Sequence, residues 1–189
     1  YKQAINHDVN VIFGIEALNM TSNENENIIE TPFGEIKTIN TIIATNGFAK
    51  NWIKEDILPA RAQVLITNEI PDLKIRGTFH FDKGYYYFRN VGNRVLLGGG
   101  RNLDVLGETT EEFGLSNQIQ LQLKNLLENV ILPSNSFKIE DSWSGIMGVG
   151  KTKSPIIKKI NNNTAIGVRM GGMGVAIGSQ VGKKLADLF

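Results

Sequence analysis

The stretch that decides the fold is residues 166–188, IGVRMGGMGVAIGSQVGKKLADL, where a short apolar strand runs into clustered glycines and a helix follows directly. Glycine lets backbone amides approach a ligand closely, and the first turn of a helix offers free N–H donors with partial positive charge. The pattern is therefore typical of a site for an anion or an electron-rich ring oxygen. Tight packing of a helix on a strand also selects glycine, so spacing alone leaves both interpretations open.

Two further segments share this glycine-rich character, and nine of the 20 glycines fall between Gly145 and Gly182. In Trp143–Gly150, WSGIMGVG, the glycines would let the end of a strand lie against a flat object; the alternative is a flexible loop with a core tryptophan. In Ala44–Gly47, ATNG, a buried strand ends in small residues. Such an end is the usual edge of a nucleotide site in an open α/β sheet, or simply a turn between strand and helix.

Composition excludes several classes of function. The 189 residues carry a net charge of +1 and are 41% hydrophobic, which suits one or two domains with a substantial core and argues against a nucleic-acid surface. The absence of cysteine excludes disulfides, thiolate ligands and a cysteinyl cofactor link, and two histidines argue against a metal centre or a catalytic triad. No catalytic side chain or metal ligand is predicted. No apolar run approaches a membrane span, and a cytoplasmic location is expected.

The order of elements predicts a mixed α/β (α+β) protein whose middle block is a separate sheet. A strand is expected over Asp8–Gly14, a helix over Ser116–Ile131, and a hairpin from Gly84–Arg89 and Arg94–Gly99. Alternation in that hairpin places Tyr86 on one face and Tyr87 on the other. Tyrosine combines an apolar wall with a hydroxyl, which suits contact with a small polar substrate; aromatic packing between neighbouring strands is the alternative, and it is favoured for most residues of this strand.

Five segments, in chain order, resemble the FAD-dependent amino-acid oxidases and dehydrogenases of the D-amino-acid oxidase and glycine oxidase type. They match the strand that closes the FAD domain, the Pro-x-Arg-Gly-Gln crossover (with Ala62 for the usual glycine), the substrate-domain hairpin, the Trp-x-Gly turn beside the flavin and the glycine turn before the last helix. In the same order, the five segments are Thr41–Gly47, Leu58–Val64, Tyr86–Gly98, Trp143–Gly145 and Gly172–Gly174.

The resemblance implies a partial FAD/NAD(P)-binding Rossmann-like domain over residues 1–58 and 156–189, and a substrate domain over 59–155 with a mixed or antiparallel sheet and one long helix. Family members begin with a strand–GxGxxG–helix unit that is not found here, and Lys2–Ile5 reads like the interior of a helix. The sequence is therefore expected to be roughly the C-terminal half of a longer flavoprotein. By itself it should be inactive, without FAD, and prone to self-association through exposed edges.

The resemblance also implies a set of contacts to FAD and to substrate. Substrate contacts are expected at Tyr86, Met147 and Arg169. Met147 occupies the place where the family usually has an arginine that pairs with the substrate carboxylate, and a thioether cannot replace that guanidinium. Either Arg169 or Arg89 does the pairing, or the substrate lacks an α-carboxylate there. The expected FAD contacts are Ala44, Thr45, Asn46, Gly47, Gly145, Ile146, Met147, Gly171, Gly172, Met173 and Gly174.

The function implied is oxidation of a C–N bond in a small-molecule amine or amino acid by hydride transfer to FAD. One alternative is a flavin oxidase domain of a tRNA-modifying enzyme, which predicts a basic substrate domain that the even charge balance does not favour. Another is a non-catalytic binding or assembly domain that kept the fold. Met147 supports that alternative, whereas the dense glycines oppose it.

Overall fold

The computed structural model describes residues 2–189 and divides them into two compact units. The first unit consists of residues up to 44 with 156–167 and 179–189, and the second consists of 45–155 with 168–178. The predicted domains, 1–58 with 156–189 and 59–155, stay a prediction, and their first residue, Tyr1, lies outside the described residues. The mixed α/β class is confirmed.

The described residues form helices α1 to α3 and strands β1 to β11. The helices are α1 (Lys2–Asn6), α2 (Asn117–Leu126) and α3 (Gly174–Ala186), with a π-helical turn at Leu127–Ile131 and 3-10 turns at Asn46–Asn51, Asp82–Gly84 and Arg101–Leu103. The strands are β1 (Asn19–Ser22), β2 (Asn27–Thr31), β3 (Gly34–Thr38), β4 (Thr41–Ile43), β5 (Leu58–Thr67), β6 (Thr78–Phe81), β7 (Tyr86–Val91), β8 (Arg94–Gly99), β9 (Ile139–Val149), β10 (Ile156–Lys159) and β11 (Thr164–Val168).

The first unit contains two three-stranded sheets. Strands β1, β2 and β3 form an antiparallel meander, and the order of the other sheet is β10-β11-β4, with β11 parallel to β4. All five residues of the central strand β11 are buried. A Cβ at Gly167 would overlap the side chain of Leu185 on α3, so this glycine serves close packing of helix on strand.

The second unit is built on a five-stranded antiparallel sheet of order β6-β7-β8-β5-β9. Helix α2 packs on one face, and the predicted helix over Ser116–Ile131 is confirmed as α2 with its π-helical extension. Strand β9 pairs with β5 along almost its whole length, whereas β8 pairs with β5 only at Val64–Ile66. The core under α2 consists of Leu65, Ile70, Leu73, Tyr86, Val95, Leu97, Ile119, Leu123, Leu126, Leu127 and Leu132.

The expected strand over Asp8–Gly14 is wrong, because the first strand begins only at Asn19. Apolar side chains such as Ile12 and Phe13 are exposed there, and no described strand pairs with the segment. Alternation gives a strand its faces, but a strand needs a neighbour to accept its backbone hydrogen bonds. The hairpin prediction is confirmed by β7 and β8. Within residues 2–189, no helix has both the length and the apolar character needed to cross a membrane.

Candidate functional site

Three of the glycine-rich segments singled out in the sequence meet inside the second unit. Gly47 is buried against β9, where a Cβ would lie 2.8 Å from the main-chain oxygen of Met147. The side-chain oxygen of Asn46 accepts the main-chain N–H of Met170 at 3.2 Å. Asn46 adopts a left-handed backbone with φ +48°. The turn after β4, the end of β9 and the turn before α3 are thus held together by close packing and by a side-chain hydrogen bond.

The turn before α3 is fixed to β9 but leaves several amides free. Gly171 adopts φ +55°, and its N–H donates to the carbonyl of Gly148 at 2.9 Å. The N–H of Met173 likewise donates to the carbonyl of Met170 at 2.9 Å. In contrast, the main-chain N–H groups of Gly172, Gly174 and Val175 donate to no acceptor within residues 2–189. These three amides, which we name the amide ledge, lie at the positive end of the α3 dipole.

The amide ledge is open to the outside of the described chain. The Val175 side chain is fully exposed and that of Met173 is 53% exposed. A Cβ at Gly172 would meet nothing closer than the Met147 sulfur at 4.0 Å, and one at Gly145 would meet nothing within 4 Å. Free N–H donors flanked by apolar side chains suit a planar heterocycle with ring oxygens and not a metal. In the part of the chain that the structure describes, no three potential metal ligands cluster.

A cleft of about 500 Å³ lies beside this turn, entirely within the second unit. One wall comes from β6, β7 and the turn between them, and the other from the end of β9, the loop after it and the turn before α3. The lining residues are His80, Lys83, Gly84, Tyr87, Gly148, Val149, Gly150, Thr152, Lys153, Arg169, Met170, Gly171, Gly172 and Met173. No aspartate or glutamate is among these described lining residues.

The tyrosine of the cleft is Tyr87, whereas the sequence pointed to Tyr86. Tyr86 is only 4% exposed and belongs to the core under α2. The predicted alternation of the two faces is confirmed, and it places Tyr87 on the cleft side. Burial raises the pKa of the Tyr87 phenol, so near neutral pH it remains a protonated hydrogen-bond donor.

Gly98 creates the space that the Tyr87 ring occupies. The two residues are register partners, and a Cβ at Gly98 would lie 2.6 Å from the ring carbon that bears the hydroxyl and 2.5 Å from a Val64 methyl. We expect Gly98→Ala to lower the free energy of unfolding by about 1–3 kcal/mol through overpacking. Urea unfolding measures this, with Gly145→Ala on β9 as the control because a Cβ there meets no neighbour. Equal stability of the two variants would contradict this packing.

Arg169, predicted as a substrate contact, is engaged with the protein. Its guanidinium donates to the main-chain oxygens of Asp56 and Ser154 at 2.8 and 3.0 Å, to the Asp56 carboxylate at 3.2 Å, and to the Thr152 hydroxyl at 3.0 Å. The residue also adopts φ +62°. These bonds fix the loop after β9, and substrate binding by Arg169 stays a prediction.

The other residues predicted to contact FAD differ in their burial and in the unit to which they belong. Ile146 packs on Gly47, whereas Ala44 and Thr45 are exposed. Ala44 belongs to the first unit and Thr45 to the second. Sequence reasoning missed Lys83 and Lys153, the two exposed cations of the cleft, because isolated lysines in loops resemble ordinary solvated side chains.

Comparison with protein families finds one match, to the FAD-dependent oxidoreductase family abbreviated DAO, over residues 1–188. No curated protein sequence matches the chain. Several solved structures are similar in fold. L-proline dehydrogenase from P. horikoshii superposes with a TM-score of 0.80 at 21% identity, over 99% of this chain and 52% of that protein.

Two other similar structures give the same result. Glycine oxidase from Geobacillus kaustophilus has a TM-score of 0.75 at 16% identity, over 92% of this chain and 47% of that one. L-amino acid deaminase from Proteus vulgaris has a TM-score of 0.71 at 17% identity, over 99% of this chain and 56% of that one. The chain thus spans about half the length of the structures it resembles.

Proposed function

Because this chain belongs to the DAO family of FAD-dependent oxidoreductases, we propose that it supplies the ring-side half of a flavin site together with the substrate cleft beside it. The reaction proposed is oxidation of a C–N bond in a small amine or amino acid. Both parts are formed by residues of the second unit, and the cleft includes the turn that leads into the amide ledge.

The observation that carries this proposal is the amide ledge. Three unpartnered N–H groups at a helix start are unusual in a folded protein unless a ligand or water accepts their hydrogen bonds. A flavin presents ring oxygens and a nitrogen that become electron-rich on reduction, which is the acceptor pattern these amides can serve. The α3 dipole would stabilise negative charge at that end of the ring.

The residues present fit FAD in this part of the site. Gly172, Gly174 and Val175 would hold the pyrimidine edge of the ring by their amides. Gly145 leaves open space on β9, and Asn46 and Gly47 fix the neighbouring turn. When bound, FAD would supply the acceptor for two electrons and the hydrogen of the carbon next to the substrate nitrogen.

The chain's own residues would then position the amine. The Tyr87 phenol lines the cleft and would donate a hydrogen bond to the substrate, and the loop held by Arg169 forms part of the other wall. The nitrogen loses its proton to water as the carbon loses its hydrogen with two electrons, which gives a C=N bond. Water then hydrolyses that bond to a carbonyl compound and ammonia, or to a carbonyl compound and an amine where the substrate nitrogen carries a second carbon substituent. Orientation in the cleft is the main contribution asked of the protein.

The direct test uses the full-length product of the gene that encodes this chain. We expect the purified protein to be yellow and its flavin absorbance to bleach under anaerobic conditions when a suitable amine is added. Proline, glycine and simple alkylamines form the first panel. A colourless protein that takes up no added FAD would overturn the proposal. A yellow protein that is bleached by dithionite but by no amine would support the proposed flavin site and contradict the proposed oxidation of a C–N bond.

A further inference from the structure

The cleft carries an unbalanced positive charge. Four of its lining groups are basic, and the guanidinium of Arg169 is already compensated by Asp56 at 3.2 Å. Lys83 and Lys153 form no ion pair within residues 2–189. Two free ammonium groups in a concave surface without a carboxylate attract an anionic ligand group. The part of the cleft that would receive this group depends on which lysine binds it.

Lys83 sits in the most unusual backbone of the cleft. Asp82, Lys83 and Gly84 have consecutive positive φ angles of +49°, +56° and +87°. For residues other than glycine, the left-handed region costs about 1–3 kcal/mol each and is found where the structure needs a specific placement. The turn is closed by a hydrogen bond from the Tyr85 N–H to the Asp82 carbonyl at 2.9 Å. A simpler turn would place glycine at the position of Lys83.

Two further hydrogen-bonding side chains stand next to Lys83 on the same wall. His80 and Tyr87 are directly opposite each other on β6 and β7, and both line the cleft. Cross-strand partners have Cβ atoms about 4.5–5.5 Å apart, so their polar groups can serve one ligand group together. Asp82, the chain neighbour of Lys83, is exposed and is not one of the residues that line the cleft. An ammonium, a phenol and an imidazole on one wall form a set that suits a carboxylate.

This wall and Gly172, the residue of the amide ledge that lines the cleft, belong to different segments of its lining. Strands β6 and β9 are the opposite edges of the sheet. At the usual strand spacing of about 4.8 Å they would be about 19 Å apart in a flat sheet. Residues from both of these strands nevertheless line the same cleft, His80 on β6 and Gly148 and Val149 on β9. An anionic group at Lys83 is therefore separated from a reacting carbon held near Gly172, and Met147, not a cation, lies beside that glycine.

We propose that Lys83, with Tyr87 and His80, binds an anionic group that lies several bonds away from the oxidised C–N bond. The preferred substrate is then an ω-amino acid or another amine with a distant carboxylate, and not an α-amino acid. This inference rests on the proposed function for the reaction but not for the binding of the anion. Lys83 acts as a specificity-determining residue, which accounts for a strained cation at a place where glycine would fit better.

The test is a homologous series on the full-length gene product: glycine, β-alanine, γ-aminobutyrate and 5-aminovalerate, with pentylamine as the uncharged reference. We expect kcat/KM to rise along the series. Lys83→Met should lower kcat/KM for 5-aminovalerate about tenfold or more, the usual worth of a hydrogen bond to a charged group, and leave pentylamine nearly unchanged. The surface variant Lys74→Met, outside the cleft lining, is the control and should retain the preference for the longer acids. Lys153→Met tests the other free cation of the cleft, and we expect its effect on kcat/KM for 5-aminovalerate to be much smaller than that of Lys83→Met.

A second measurement does not depend on turnover. Calorimetric titration with valerate, which has no amine to oxidise, should give a Kd that rises about tenfold or more in Lys83→Met. Lys83→Gly should lose the same binding while its melting temperature rises or stays equal, because glycine relieves the left-handed backbone. A variant that loses binding and stability together would indicate a structural role and overturn the inference.

The outcomes separate the two proposals. If the protein holds no flavin, the proposed function fails, whereas valerate binding still decides the role of Lys83. If amines bleach the flavin but glycine is the best acid, the substrate inference alone fails. It fails equally if valerate binding is insensitive to Lys83→Met, or depends on Lys153 instead.

Discussion

Gly172→Val should abolish flavin retention while the fold remains intact. The change adds three carbons beside the amide ledge, in the space where the ring is proposed to lie. Gly172 does not have a positive φ, and the nearest atom to its Cβ position is the Met147 sulfur at 4.0 Å, so the chain itself can accept valine. The ring would be displaced from its amide donors, and we expect the Kd for FAD to rise about a hundredfold or more, equivalent to about 2.7 kcal/mol.

The measurement is the flavin-to-protein ratio after gel filtration of the full-length gene product, together with far-UV circular dichroism. Gly182→Val is the matched control, because it makes the same substitution within α3, at a position where a Cβ meets nothing within 4 Å. A Gly172→Val protein with undiminished flavin content would contradict the proposal that the amide ledge binds the flavin ring. Loss of flavin in both variants would point to a general effect on α3 and would equally reject it.

Arg61→Met should strongly destabilise the second unit, because Arg61 compensates the charge of a buried carboxylate. The Arg61 guanidinium donates two hydrogen bonds, at 2.8 and 3.0 Å, to the carboxylate of Glu108, which is 1% exposed. Gln63 donates to the same carboxylate at 2.9 Å. The hydrogen bond to Glu108 raises the pKa of Arg61 further above its ordinary value, so the guanidinium stays positively charged. Removing the cation leaves a buried carboxylate without its partner, which costs about 3–5 kcal/mol.

Urea unfolding followed by circular dichroism measures the loss, and Arg94→Met provides the comparison. Arg94 pairs with Glu69 and Glu140, both of which are substantially exposed, and such pairs contribute about 0–1 kcal/mol. A double variant in which Glu108→Gln accompanies Arg61→Met should recover part of the loss, because the uncompensated charge is gone. If the two single arginine variants were equally stable, the importance of the buried pair would be disproved.

The family resemblance assigned Gly145 to Met147 and Gly171 to Gly174 to one flavin, and in the structure the second segment is bonded to the end of β9 through Gly148. Contact of these residues with FAD stays a prediction, and glycine spacing alone does not indicate which segments meet. The glycines at this end of the chain serve both of the roles considered from the sequence, close packing of a helix on a strand and open space for a ligand. Gly167 packs against Leu185, whereas Gly172 leaves open space. Only coordinates separate these roles, since both require the absence of a side chain.

Side-chain roles in the cleft depend on which face of the sheet is covered. Alternation assigned Tyr86 and Tyr87 to opposite faces, and that is confirmed, but both faces of β7 carry aromatic rings. The pattern alone therefore does not show that α2 covers the Tyr86 face. The left-handed backbone at Lys83 was likewise beyond reach, because only one of the three residues of that turn is glycine.

The parallel pairing of β4 with β11 has a consequence for how the chain is made. Residues 41–43 find their partners only at residues 164–166, which are synthesised after the whole continuous segment from 45 to 155. Contacts between positions so far apart in sequence form slowly, because a long loop must close first. During synthesis, the sheet of the second unit can assemble while β4 still exposes unpaired peptide groups. We therefore expect β4, while it is unpaired, to be the segment that binds chaperones and that promotes aggregation of the incomplete chain.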